Sequence, residues 1–142
     1  MDFNLSKEQE LLRDGLGKFL NTRYDLEKSR TAAKLGAGWQ PDVWRGFADE
    51  LGILGATLPE SVGGMGGGAV ELMVIAEELG RALVIEPFVG TVMVAGGLLQ
   101  RAGGAVAEAA LERIAAGTAV VALADTDAGE PARAVRDGDA WV

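Results

Sequence analysis

The chain has 142 residues, of which 49% are hydrophobic and 24% charged, a composition typical of one folded globular domain and unlike that of a disordered chain. Thirteen Lys and Arg residues against 21 Asp and Glu residues give a net charge of −8, which argues against nucleic acid or an anionic membrane as a partner. Because Cys and His are absent, no disulfide framework and no metal site are predicted.

Three helices are predicted in the first half of the chain, at positions 7–23, 26–35 and 41–51. Ser6 followed by Gln9 forms a capping-box pattern that starts the first helix. Pro41 suits the first turn of the third helix, and Gly52 suits its end. Apolar faces with helical spacing are formed by Leu12, Leu16, Phe19 and Leu20 in the first helix and by Trp44, Phe47, Ala48 and Leu51 in the third.

Three more helices are predicted at positions 69–79, 88–99 and 105–116, after a glycine-rich loop at 61–68. The fourth helix is expected to bury Leu72, Ile75, Ala76 and Leu79 and to leave Glu71, Glu77 and Glu78 in solvent. The fifth is apolar nearly all round, which predicts a central helix covered on every side. Its glycines, Gly90, Gly96 and Gly97, predict the close approach of another helix rather than of a ligand.

Sheet structure is predicted to begin after Gly117. The residues at 120–123 form a short apolar run typical of a strand, and Asp137-Gly138 is a hairpin-turn pattern. A lone hairpin is only marginally stable, so we expect the chain to be the first part of a longer protein. The predicted domains are a helical one at 1–117 and the start of a β-domain at 118–142.

No membrane span and no export signal are predicted. The longest uncharged apolar stretch, 87–100, is shorter than the roughly 18 residues that a spanning helix needs. The first residues lack a basic region followed by an apolar one. A cytoplasmic location is therefore expected.

The glycine run offers one possible phosphate site. Gly64, Gly66 and Ala69 match G-x-G-x-x-A at the start of a helix, where free N–H groups can bind anions. No strand precedes the run, as a dinucleotide-binding fold requires. We favour a tight loop in which backbone passes close to backbone.

The acidic and aromatic residues also have structural explanations. Glu77 and Glu78 point in different directions on a helix and are not facing partners for acid–base catalysis. Glu86, before Pro87, is interpreted as a charge at a helix start rather than a base. The tryptophans at 39, 44 and 141 are scattered, which favours packing over ligand stacking.

Several segments in order resemble the acyl-CoA dehydrogenase family across nearly the whole chain. The opening residues 1–9 resemble the family's entry into its first helix. The segments 51–55 and 58–66 (LGILG and LPESVGGMG), 76–81 (AEELGR), 86–88 (EPF) and 138–142 (GDAWV) are each similar to family passages at matching places. The resemblance implies a mainly α fold, namely a six-helix amino-terminal domain followed by a truncated β-domain.

The resemblance also implies a function. Family members use FAD to oxidise an acyl-CoA thioester to the 2,3-enoyl-CoA, and electron-transfer flavoprotein is the expected electron acceptor. The protein supplies orientation and water exclusion while the flavin supplies the hydride chemistry. The glutamate that removes the α-proton is expected beyond Val142, so no catalytic residue is assigned in this chain.

Two groups of site residues follow from the resemblance. Gly90, Thr91 and Val94 match the helix that lines the acyl-chain cavity, and their small size would leave room for a long or bulky acyl group. The segment 121–129 matches a strand and turn that contact FAD, and the residues assigned to that contact are Val121, Leu123, Ala124 and Gly129. Glu130, which follows this turn, is assigned to the substrate.

The flavin segment departs from the family pattern in three ways. Ala124 replaces the usual threonine, Asp127 replaces a glycine, and Glu130-Pro131 replaces Ser-Asp. A lost hydroxyl donor and an added carboxylate would both weaken the binding of a pyrophosphate. Three alternatives therefore stay open: a homo-oligomeric enzyme, a non-catalytic subunit of a heteromeric enzyme whose partner holds the flavin, and a helical interaction module that uses the apolar helix at 88–99.

Overall fold

The computed structural model describes residues 4–35, 38–124, 135–138 and 140–141. Within this part of the chain the fold is mainly α, as predicted, and a two-stranded hairpin follows the helices. The helices are α1 (Lys7–Arg23), α2 (Leu26–Lys34), α3 (Pro41–Asp49), α4 (Ala69–Arg81), α5 (Gly96–Ala102) and α6 (Ala105–Ala115). A π-helical segment, Val89–Ala95, runs directly into α5, and short 3-10 turns occupy Ile53–Gly55 and Glu60–Val62.

Local capping signals start the helices where the sequence predicts. At α1, the Ser6 hydroxyl accepts from the N–H of Gln9, and the Gln9 side chain accepts from the N–H of Ser6, so the predicted capping box is confirmed. The Asp25 carboxylate caps α2 by accepting from the N–H groups of Glu27 and Lys28, and Pro41 is the first residue of α3. These contacts satisfy N–H groups that have no partner within the helix.

One hydrophobic core connects α1, α3, α4 and α6. Phe19 of α1 and Phe47 of α3 pack with ring centroids 5.8 Å apart. The Trp44 indole N–H donates to the Gly117 carbonyl at 3.2 Å, which joins α3 to the chain just after α6. Trp39 contacts Trp44 edge-on at 5.8 Å. The packing role predicted for these two tryptophans is therefore confirmed.

The buried face of α4 includes Ile75 and Leu79, as predicted, but it also includes Val74 and Glu78. Val74, Ile75, Glu78 and Leu79 are buried against α1, and Glu78 is 6% exposed. The expectation that Glu78 is solvated is wrong, because Gly17 of α1 has no side chain and leaves room for the carboxylate. Arg81 lies 3.4 Å from the same carboxylate and balances its charge.

The glycine-rich loop is held by backbone hydrogen bonds. The N–H groups of Met65, Gly66 and Gly67 donate to the carbonyls of Gly55, Leu58 and Ala56 at 2.9, 2.9 and 2.8 Å. These donors are therefore not free for a phosphate. The predicted tight loop is confirmed, and the phosphate site is not formed.

The apolar segment at 88–99 is neither a regular α-helix nor covered on every side. Its first half is π-helical, and Val89, Val94 and Leu98 are exposed. A side chain added at Gly90 or Gly97 would meet no atom within 4 Å in the part of the chain that the structure describes. No described helix approaches these two glycines, whereas an added Cβ at Gly96 would lie 3.6 Å from the Leu58 side chain. Among the described residues, the predicted close approach is therefore not seen at Gly90 and Gly97.

The first predicted strand is not formed among the described residues, whereas the hairpin is. Residues 119–124 form no regular secondary structure and belong to no sheet. Strands β1 (Arg136–Asp137) and β2 (Ala140–Trp141) pair antiparallel, with Asp137 opposite Ala140. Gly138 begins the turn with φ +61°, a conformation that glycine adopts readily.

Leu83 is the one described non-glycine residue with a left-handed backbone, at φ 54°. The Tyr24 hydroxyl holds this turn, because it donates to the Leu83 carbonyl and accepts from the Ile85 N–H, both at 3.1 Å.

A left-handed leucine costs roughly 1–2 kcal/mol, and the Leu83 side chain is 67% exposed. We expect Leu83→Gly to stabilise the fold by about 1 kcal/mol, measured by thermal unfolding.

Leu11→Gly is the matched control, since Leu11 is 64% exposed within α1. Glycine inside a helix should destabilise the fold by about 1 kcal/mol. Equal losses of stability from the two variants would contradict the strain assigned to Leu83.

Candidate functional site

Thr91 and Val121 connect the two groups of residues that the sequence assigns to a site. Thr91 lies in the π-helical segment and is completely buried. Its hydroxyl donates to the Val121 carbonyl at 3.0 Å and accepts from the Val121 N–H at 3.2 Å. The assigned acyl-chain segment and the assigned flavin segment are therefore adjacent in the fold.

Gly90 and Val94 lie on the open face of the π-helical segment. Together with Val89 and Leu98 they form an exposed apolar surface, which we call the 89–98 surface. No described atom beyond the segment's own backbone lies within 4 Å of a Cβ added at Gly90. An apolar surface of this kind marks a binding site or a contact with another part of a protein.

Residues 122–124, which follow Val121, are exposed, with Leu123 at 56%. Among the described residues, their backbone N–H and C=O groups make no hydrogen bonds with other backbone groups. Of the residues assigned to ligands, Gly129 and Glu130 lie outside the described residues, as does Asp127.

Glu86, like Glu78, is a carboxylate whose burial the sequence did not predict. Glu86 is 6% exposed, and one of its carboxylate oxygens accepts from the Gln40 N–H at 3.1 Å. The other oxygen has no hydrogen-bond partner among the described residues. Gln40 precedes α3, so Glu86 serves the start of α3 rather than its own helix. The Gln40 side chain in turn donates to the buried Ser29 hydroxyl at 2.8 Å. Burial raises the pKa of Glu86, since the charged form loses its hydration.

The raised pKa of Glu86 predicts a pH-dependent stability. A carboxyl group whose pKa is higher in the folded state favours folding below its unfolded pKa, about 4.5, and loses that contribution as pH rises through the folded pKa. Glu86→Gln cannot ionise. We expect the melting temperature of Glu86→Gln, relative to the unchanged protein, to be higher at pH 7.5 than at pH 4.5. A difference that stays constant between these pH values would contradict the assignment.

No group of three or more Asp, Glu, His or Cys residues in the described part of the chain has the geometry to hold a metal ion. No helix within the same residues is long and apolar enough to cross a membrane.

Comparisons with known proteins give one consistent result. Residues 6–126 match the family profile described as acyl-CoA dehydrogenase, N-terminal domain. The chain is 35% identical to acyl-CoA dehydrogenase IpdE2 from Mycolicibacterium smegmatis over 89 residues. This matched region is 63% of this chain and 29% of the relative.

Solved structures agree with the sequence matches. A chain of the ChsE4-ChsE5 complex from Mycobacterium tuberculosis superposes with a TM-score of 0.81 at 28% identity, over 99% of this chain and 39% of that one. A chain of the Tcur3481-Tcur3483 steroid ACAD superposes with a TM-score of 0.73 at 29% identity, over 100% of this chain and 39% of that one. The chain thus spans less than half the length of these proteins.

Proposed function

The chain belongs to the acyl-CoA dehydrogenase family, and from this premise we propose that it is the amino-terminal helical part of an FAD-dependent enzyme that oxidises an acyl-CoA thioester to the 2,3-enoyl-CoA. The observation that carries the proposal is the pair of hydrogen bonds between Thr91 and Val121. These bonds hold a proposed acyl-binding segment beside a proposed flavin-binding segment, as the reaction requires.

The described residues would contribute binding and exclusion of water rather than proton transfer. In this proposal Gly90 and Val94 form one wall of the acyl cavity, and the backbone of 122–124 meets the flavin ring. FAD, when bound, supplies the acceptor for the hydride. The glutamate that removes the α-proton is proposed to lie outside this chain, and electron-transfer flavoprotein is the proposed acceptor of the electrons.

A bulky acyl group is the proposed substrate class. The open space at Gly90 favours it, because a cavity wall without a side chain leaves room for a wide group. The steroid ACAD named among the structural relatives adds support. A cytoplasmic location is proposed with this function.

The test of this proposal uses the complete polypeptide that contains this sequence. The purified protein should show flavin absorbance in the visible region and should reduce an artificial electron acceptor when a bulky acyl-CoA is added. A protein that binds flavin but oxidises no acyl-CoA would contradict the proposed reaction. A protein without flavin, both alone and with a second subunit, would contradict the cofactor.

A heteromeric enzyme is the second candidate. It is supported by the two solved structures, ChsE4-ChsE5 and Tcur3481-Tcur3483, each of which is named as a pair of proteins. The sequence changes at Ala124, Asp127 and Glu130 support it as well. In this case the partner subunit holds the working flavin. Stoichiometric FAD in the complete polypeptide expressed alone would exclude this candidate. Flavin that is retained only after co-purification with a second subunit would support it.

A further inference from the structure

The Thr91 hydroxyl is fully used within the protein. A hydroxyl group has one hydrogen to donate and lone pairs to accept with, and Thr91 directs both functions to the backbone of Val121, at 3.0 and 3.2 Å. Its side chain is completely buried, so no hydroxyl surface remains for a substrate. The Thr91 hydroxyl thus bonds to both backbone groups of Val121, as a residue on a neighbouring antiparallel strand would do with its own N–H and C=O groups.

The π-helical segment puts this hydroxyl and the exposed surface on one short stretch of chain. Thr91 donates its own N–H to the Pro87 carbonyl at 2.9 Å, and its carbonyl accepts from the Gly96 N–H five residues on. Gly90 and Val94, on either side of Thr91, stay exposed. Because the backbone between them is short and hydrogen-bonded, a displacement at the 89–98 surface moves the Thr91 hydroxyl as well.

We propose that Thr91 is a positioning residue that couples the 89–98 surface to the segment 121–124. This inference rests on the proposed function and replaces the direct substrate contact that the sequence assigns to Thr91. A bound group that displaces Gly90 or Val94 also displaces Val121, through the two hydrogen bonds between Thr91 and Val121. The residues that follow Val121, which are proposed to meet the flavin, shift with it.

The test compares three variants of Thr91 in the complete polypeptide. Thr91→Val keeps the shape and removes the hydroxyl, Thr91→Ala removes it without the risk of overpacking, and Thr91→Ser keeps it. Thr22→Val is the matched control, because the Thr22 hydroxyl also donates to backbone carbonyls, those of Lys18 and Phe19, but within α1. Two quantities are measured for each protein: the exchange rate of the Val121 amide hydrogen and the dissociation constant of FAD.

We expect Thr91→Val and Thr91→Ala to accelerate exchange at Val121 about tenfold and to weaken FAD binding by a similar factor, as the loss of hydrogen bonds predicts. Thr91→Ser should restore both values, and Thr22→Val should change neither. An unchanged exchange rate at Val121 would overturn the inference. Faster exchange with unchanged FAD binding would overturn the coupling to the flavin segment.

The proposed function and this inference can fail separately. If the unchanged protein takes up no FAD, alone or with a second subunit, the proposed function fails. The exchange rate of the Val121 amide hydrogen, measured with and without acyl-CoA, then decides the inference. If acyl-CoA alters this rate in the protein with Thr91 but not in Thr91→Val, the coupling is supported. If acyl-CoA does not alter the rate in the protein with Thr91, the coupling is overturned.

Discussion

The Gly64→Ala variant should lose at least about 3 kcal/mol of folding free energy, because the new methyl group overlaps backbone. A Cβ at this position would overlap the carbonyl oxygen and the carbonyl carbon of Leu58. The same oxygen accepts the Gly66 N–H at 2.9 Å, so it cannot move away without breaking that bond. For a chain of this length the melting temperature should fall by roughly 10 °C.

Gly80→Ala is the matched control for this prediction. Gly80 lies within α4, and a Cβ there would meet no described atom within 4 Å. Alanine should therefore stabilise the helix by about 1 kcal/mol. Neither Gly64 nor Gly80 has a positive φ. The two variants therefore differ in the space available to the added methyl group rather than in backbone strain. A Gly64→Ala variant within about 1 kcal/mol of the unchanged protein would contradict the clash described here.

Local signals predicted the fold wherever the determining residues are neighbours in sequence. Ser6 and Gln9 define the start of α1 at Lys7, and Pro41 defines the start of α3. The glycine run around Gly64 indicated a loop with close backbone contacts, which the structure confirms. Each of these features depends on a few adjacent residues, whose preferences do not need the rest of the protein.

The predictions that failed depend on residues far apart in sequence. Helical periodicity left Glu78 in solvent, whereas the room for it is made by Gly17 on another helix. The burial of Glu86 depends on Gln40, at the start of α3. The π-helical segment has no sequence pattern that separates it from an apolar α-helix, because only its hydrogen bonds distinguish the two. The domain boundary after Gly117 and the assigned ligand contacts stay predictions.

The Gly90→Phe variant should reduce the oxidation of a bulky acyl-CoA about 100-fold in kcat/KM, if Gly90 forms the cavity wall as proposed. A side chain of this size would occupy the open space beside the π-helical segment, and overpacking against a bound acyl group costs about 1–3 kcal/mol. Replacing glycine within the helical segment should not by itself lower stability, because glycine is a poor helix residue and an added Cβ meets no described atom; the melting temperature of the variant is measured to check this. The complete polypeptide is assayed with bulky and short acyl-CoA substrates.

The ratio between substrates distinguishes a filled cavity from general damage. If the phenylalanine fills the cavity, kcat/KM should fall for the bulky acyl-CoA and stay unchanged for the short one, since only the wide group needs the lost space. Gly15→Phe is the matched control, because Gly15 in α1 is equally open and lies away from Thr91 and Val121. It should leave both activities unchanged. Equal losses for bulky and short substrates in Gly90→Phe, with an unchanged melting temperature, would place Gly90 outside the acyl cavity and would assign the 89–98 surface to a contact with another part of the enzyme.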